Sequence, residues 1–255
     1  MIRNLLLAWS FGLFLASGAW AAGRVKVTYQ DEEEARAMAL AQEIAPGLAR
    51  LEDQFLARWR AAGTDPAVRS ALLRGAREDI ERVLSAPELA AARDYLLDGL
   101  DDGLPPSGTG QGAGGIRLAA NLDRSADAET TLGDLGEQLA ARMRQVSQRA
   151  ERGDLLAELC IVTRPGSGAR FRLWPQSYPD GARDTVSVGT VRVYRGLHAY
   201  SVAPAGGGAP FGCDRKTEPT CPRLDLMTDS RPALHCDLKA RACARRLETP
   251  KRCRE

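Results

Sequence analysis

Glu158-LCIVTRPGSGARFRL-Trp174 is the stretch on which the fold turns. Before it, apolar residues recur at helical spacing. Within it they alternate, which is the period of a half-buried strand. Cys160-Ile-Val-Thr163 predicts a short strand, Arg164-Pro-Gly-Ser-Gly168 a turn, and Arg170 to Trp174 a second strand with Phe171 and Leu173 on one side. Further along, Val186, Val188, Val191, Val193 and Tyr194 predict one or two strands around Gly189, and Arg195-Gly196 marks a bend. Leu197, Ala199 and Ser201 then alternate with His198, Tyr200 and Val202. Leu224 to Met227, a Thr228-Asp-Ser-Arg-Pro232 turn and Ala233 to Leu238 predict a hairpin. All six cysteines, Cys160, Cys213, Cys221, Cys236, Cys243 and Cys253, fall in this β-patterned region.

The opposite end of the chain tells how to read those cysteines. Arg3, an apolar run from Leu5 to Leu15 and Ala19-Trp20-Ala21 have the pattern of a secretory signal cleaved near Ala22. The run is short for a membrane span, and no later stretch is apolar enough for one. Export permits disulfides, and an even cysteine count predicts a fully paired set. Six cysteines allow 15 connectivities, among which sequence does not choose; pairing of neighbours would give Cys213–Cys221 and Cys236–Cys243 and leave Cys160 with Cys253. The formal charge is +2, or +2 − 1 = +1 once Arg3 leaves with the signal. A nucleic-acid binder is therefore not expected, because phosphate recognition calls for a strong basic excess.

Between these ends, Arg24-Val-Lys-Val-Thr-Tyr29 alternates as a short strand that either pairs with the distant β-rich half or leads into the first helix. Asp31-Glu-Glu-Glu34 fits a helix start, where carboxylates meet the positive end of the helix dipole. The helix runs to Ile44, and Pro46 is expected to end it and open the next. Leu48, Leu51, Phe55 and Trp59 form an apolar stripe of core type. Asp65 or Thr64 caps a helix carrying Val68, Leu72, Leu73, Ala76, Ile80 and Val83, and Ser85-Ala-Pro-Glu88 starts another carrying Leu89, Ala92 and Leu96. Leu104 to Gly115 is a glycine- and proline-rich linker. Leu135, Leu139, Met143, Val146 and Ala150 mark a further amphipathic helix. Arg142, Arg144 and Arg149 read as its solvated side, and Gly153 as its end.

Pro165, Gly168-Ala169, Phe171, Leu173, Thr185, Gly196, Tyr200 and Val202 follow one another as in the PEGA-type module, which the stretch from Arg164 to Val202 resembles. The resemblance implies a small β-sandwich of bacterial extracytoplasmic proteins, used for attachment or scaffolding, with no catalytic residues to carry over.

Other motifs fail on context. Gly110 to Gly115 spells a dinucleotide fingerprint but lacks the preceding strand and following helix that seat a pyrophosphate. Asp123, Ser125, Asp127, Glu129 and Asp134 have the spacing of calcium ligands, yet Ala128 stands where the loop needs glycine, and helix capping accounts for them. His235 with Cys213, Cys221, Cys236 and Cys243 lacks the close cysteine pairs of zinc modules. His198 and His235 are the only histidines, and neither belongs to a recognisable nucleophile or metal motif. No catalytic residue, metal or cofactor is expected. Trp174, Tyr178, Tyr194 and His198 remain as candidate binding residues, and the basic stretch Lys239 to Glu255 as a disulfide-pinned tail able to meet anionic polymer.

The chain is thus expected to be α+β. Residues 1–21 form the signal, 22–103 and 121–155 helical regions around a 104–120 linker, and 156–255 a small disulfide-stapled, sandwich-like β-rich domain. The expected function is a non-enzymatic exported or periplasmic scaffolding protein with an envelope protein or cell-wall polymer as partner. A secreted hydrolase or hydrolase inhibitor, and a carbohydrate-binding module, are the alternatives.

Overall fold

The computed structural model describes residues 29–98, 100, 125–164, 169–175, 177–178, 183–186, 189–205, 208–212, 223–228 and 232–246. The expected linker, the dinucleotide-like glycines, Arg24 to Thr28, and Cys213, Cys221 and Cys253 lie outside them. The architecture is α+β, with helices first and sheets after. Among the described residues, no helix is long and apolar enough to cross a membrane.

Helix α1, Tyr29–Ala61, opens at Tyr29, the end of the expected strand, and passes straight through Pro46. Pro46 therefore does not end the helix as expected. Proline costs a helix one backbone hydrogen bond and crowds the preceding turn. Here Pro46 faces solvent, while the stripe Ala37, Ala41, Ile44, Leu48, Leu51, Phe55 and Trp59 is buried on both sides of it. Burial of one continuous stripe outweighs the local loss. Asp65 caps α2, Pro66–Val83, by accepting from the Ala67 and Val68 amides at 2.9 and 3.2 Å. Leu73, Ala76 and Ile80 face the core. Val68, placed on the same stripe by sequence, is 42% exposed. A 3-10 turn, Pro87–Leu89, leads into α3, Ala90–Leu97.

Helix α4, Ser125–Glu151, takes in positions 125, 127, 129 and 134 of the calcium-like spacing, which are therefore helical and not in a loop, while Asp123 lies outside the described residues. Trp59 lies across it: a Cβ on Gly136 would come within 2.1 Å of the indole. Its arginines are not a free solvated face. Arg144 bonds Glu52 at 2.8 Å, and Arg142 donates to the Tyr95 carbonyl at 3.1 Å and pairs with Asp98. Gly153, at φ +68°, closes α4 with its amide on the Ala150 carbonyl, while the Asp154 amide reaches Arg149. This is the left-handed glycine stop expected from sequence.

Strands β1 (Leu156–Arg164), β4 (Gly189–Tyr194), β8 (Ala233–Asp237) and β9 (Ala242–Arg246) form one sheet in the order β4-β1-β8-β9. The other sheet runs β3 (Arg183–Val186), β2 (Ala169–Pro175), β5 (Leu197–Pro204). The far edge of β5 is shared by β6 (Phe211–Gly212) and β7 (Arg223–Asp225). The hairpin expected from Leu224 to Leu238 is not made. Its first strand pairs with β5, and its second pairs parallel with β1. Both halves have the right alternation, and both send apolar residues (Leu224, Leu226, Leu234, Cys236) into one cluster. Local pattern does not distinguish neighbours in one sheet from strands split between two.

The true hairpin is β8–β9. Asp237 accepts from the Lys239 and Ala240 amides in its turn, and Arg241 sits at φ 52°. The start of the expected basic tail is therefore the turn of this hairpin followed by its second strand, β9. Cys236 and Cys243 face each other in register and are disulfide-bonded. Cys160 is also in a disulfide.

Inward residues of both sheets, including Leu159, Ile161, Phe171, Leu173, Val193, Tyr200 and Val202, make a single apolar cluster. The helical core is separate but draws in Leu197 and Met227 from the β-rich part. Helix α3 lies on β2 and β5. Gly196, at φ +141°, lets it approach: a Cβ there would lie 2.1 Å from the Ala91 carbonyl carbon. At the junction, Arg195 is 6% exposed. Its guanidinium donates to Asp154 at 3.0 and 3.1 Å and to the Leu226 carbonyl at 3.1 Å, and Arg149 holds the second Asp154 oxygen.

Candidate functional site: a cavity between the first helix and the two sheets

The pleat of β2 and β5 positions the site. Phe171 pairs with Val202, Leu173 with Tyr200, and Pro175 with His198, so all six share one face. The first four belong to the apolar cluster to which both sheets contribute. Pro175 and His198 are the next rung outward, and there the apolar layer opens into a cavity of about 610 Å³. Leu173 and Val193 supply its apolar floor. Tyr178, Tyr194 and His198 line one side. The other side comes from the first turns of α1 (Glu32, Glu33, Arg36) and from the 3-10 turn (Pro87, Glu88).

This volume lies within the range of small-ligand and side-chain pockets, which are apolar with a few fixed polar groups. Arg36 forms an ion pair with Glu88 on this second side of the cavity, and the other Glu88 carboxylate oxygen is buried with no hydrogen-bond partner. Among the described lining residues, three carboxylates face one guanidinium. Beside the cavity, Arg192 bridges Glu34 at 3.0 Å and Glu158 at 3.3 Å, tying α1 to β4 and β1. The hydrogen bond that Arg192 donates to the Glu34 carboxylate holds the Arg192 pKa above its ordinary value.

His198 is 5% exposed. Its Nε2–H donates to the Tyr194 carbonyl at 2.8 Å. That bond fixes the ring and commits one nitrogen to the backbone, as in a structural histidine. His235 sits in the other sheet, in register with Val162 and Ala244. It shares a face with Ala233, which clusters with Cys160 and Val162 rather than with the larger apolar cluster of the two sheets. The two histidines are not brought together. The zinc arrangement loses Cys236 and Cys243 to their disulfide. Among the described residues, no group of three His, Cys, Asp or Glu is arranged to hold a metal.

Of the aromatic candidates, Tyr178 and Tyr194 line the cavity with His198. Trp174 does not: it is on the opposite face of β2, 6% exposed. A flat platform of Trp174, Tyr178 and Tyr194 is therefore not formed. Sequence reading missed Glu32, Glu33, Arg36, Glu88, Leu173 and Val193 as lining. The signal for the acidic side was the Asp31–Glu34 cluster, whose role as a helix start concealed a second one.

No family model, curated protein or solved structure matches the chain.

Proposed function

We propose that this chain is an exported, non-enzymatic interaction protein of the cell envelope, which recognises its partner at the cavity between α1, the 3-10 turn and the sheets. The observation that carries the reading is the cavity itself: an apolar floor and an acidic rim held between two packed cores. Rigid walls suit recognition, because little order is lost on binding. The commitment of His198 Nε2 to a backbone carbonyl supports binding over proton transfer. Two sheets sharing one apolar cluster, with Phe171, Leu173, Tyr200 and Val202 on it, support the sandwich-like reading and the PEGA-type resemblance. One observation favours the hydrolase reading instead: His198 and Glu88 line the same cavity.

The test uses the full, oxidised chain, because Leu197 and Met227 join the helical core and the halves are not separable pieces of surface. The chain is cross-linked in envelope extract beside a Glu32→Lys/Tyr178→Ala variant and a distant control, Arg77→Ala. Loss of the partner with the rim variant alone is the expected result. Equal retention by all three, or an esterase or glycosidase turnover abolished by His198→Gln, overturns the reading.

A further inference from the structure

We propose that the cavity takes a basic side chain, lysine or arginine, flanked by apolar residues and presented by a polypeptide partner. The proposal rests on the recognition reading above and names what that site recognises. The two sides of the cavity differ in chemistry. Tyr178 and Tyr194 offer aromatic rings on one side, Glu32, Glu33 and Glu88 carry carboxylates on the other, and Leu173 and Val193 form the floor. A basic side chain has the matching order of parts. Its methylene stem lies on apolar surface, and its charged tip seeks carboxylate. Tyrosine faces attract the same tip.

Charge decides among ligand classes. An anion would meet three carboxylates and one guanidinium among the described lining residues. A neutral apolar ligand would displace water from those carboxylates and return no hydrogen bond, which is costly. A divalent cation needs several converging oxygens. Among the described residues, no group of three His, Cys, Asp or Glu is placed to hold one. An organic cation is the class that remains. Glu88 strengthens the case. Arg36 holds one of its carboxylate oxygens, and the other is buried with no hydrogen-bond partner. The Arg36 side chain is 64% exposed, so water screens much of its charge and Glu88 is compensated only in part. A cation in the cavity adds to that compensation through space, without touching the buried oxygen. Size then points to a polypeptide and not a free amine. About 610 Å³ suits a drug-sized ligand, more than one alkylammonium fills. Apolar neighbours of the basic residue cover the rest of the floor and the half-open ring of Tyr178.

The experiment titrates the full, oxidised chain and follows the Leu173 and Val193 methyl signals by NMR. The probes are acetyl-Leu-Lys-Leu-amide, its arginine counterpart, a norleucine peptide that keeps the stem without the ammonium, and free cadaverine. At least one basic peptide should shift both methyl signals, less strongly as salt is added. The norleucine peptide should bind about tenfold more weakly, as expected when one charge-assisted contact is lost. Glu32→Gln/Glu33→Gln should weaken the basic peptide, and Arg36→Gln should tighten it by removing the competing cation. Damage to the fold would weaken binding in both variants, so the gain in Arg36→Gln is specific to charge. Absence of methyl shifts, equal binding of the norleucine peptide, a cadaverine affinity matching the peptide, or weaker binding in Arg36→Gln overturns the inference. An envelope partner captured at the rim with no peptide binding overturns this inference alone. Peptide binding beside equal envelope capture by the rim variant overturns the recognition reading alone.

Discussion

At the junction of helix and sheet, Arg195 carries a charge into a place that is 6% exposed. Burial lowers its pKa, the nearby Arg149 adds to that, and Asp154 opposes both. Removing one partner of such a pair leaves an uncompensated buried charge, which is costlier than the pair was favourable. Asp154→Asn is expected to destabilise the chain by about 3 kcal/mol, read as a lower urea midpoint with an unchanged slope. Tyr95 and Tyr200 offer a pH-dependent counterpart. Burial raises both pKa values above the ordinary 10.0, with Asp225 adding to the effect at Tyr95. A raised folded-state value means that the stability from the neutral phenol is complete below pH 10 and is lost as the pH climbs through that raised value. Unfolding monitored from pH 9 to 11.5 should show stability falling above about pH 10, and less steeply in Tyr95→Phe.

Elements depend on contacts that residue patterns carry only in part. The stripe of α1 was legible because Leu48, Leu51, Phe55 and Trp59 have helical spacing. Its continuity across Pro46 was not, because proline is a strong local signal and the burial that overrides it is tertiary. Pro46 is on the exposed side of the helix. Pro46→Ala should restore a backbone hydrogen bond and raise stability by about 1–2 kcal/mol, seen as a higher thermal midpoint. A drop would mean that the backbone restraint of Pro46 is needed by the packing of Ile44 and Leu48. Gly136 is the converse case. Nothing in its sequence context marks it, yet Trp59 occupies the space of its Cβ. Gly136→Ala should cost about 1–3 kcal/mol, although alanine is the better helix former, because the indole has to leave its place. Trp59 fluorescence and the thermal midpoint together check it.

For the whole molecule, the division into helices and sheets was readable from the change of period near Glu158, and the inward residues of β2, β4 and β5 were readable from alternation. The pairing of β7 and β8 was not, since strands 10 or 70 residues apart look alike locally. The cavity escaped for a related reason: its walls come from Glu32, Glu88, Leu173 and His198, which only the packed molecule brings together. The Cys236–Cys243 bond links two strands that also pair by backbone, so its closed loop is short. Its reduction should cost about 2–3 kcal/mol rather than the larger sum of a long loop, measurable as a lower urea midpoint in Cys236→Ser/Cys243→Ser.

The parallel pairing of β1 with β8 has a further consequence, in time. Ile161 meets Leu234 in the middle of a sheet, and every strand of the second sheet is encoded between them. A ribosome that has delivered β1 and its antiparallel neighbour β4 has still to deliver β5 to β7 before the second neighbour of β1 exists. Such a high contact order makes closure of the first sheet a late event. Until then Ile161 and Val162 are held in a half-built layer, and a nascent chain halted before Ala233 is the form of this protein most exposed to aggregation and to chaperones.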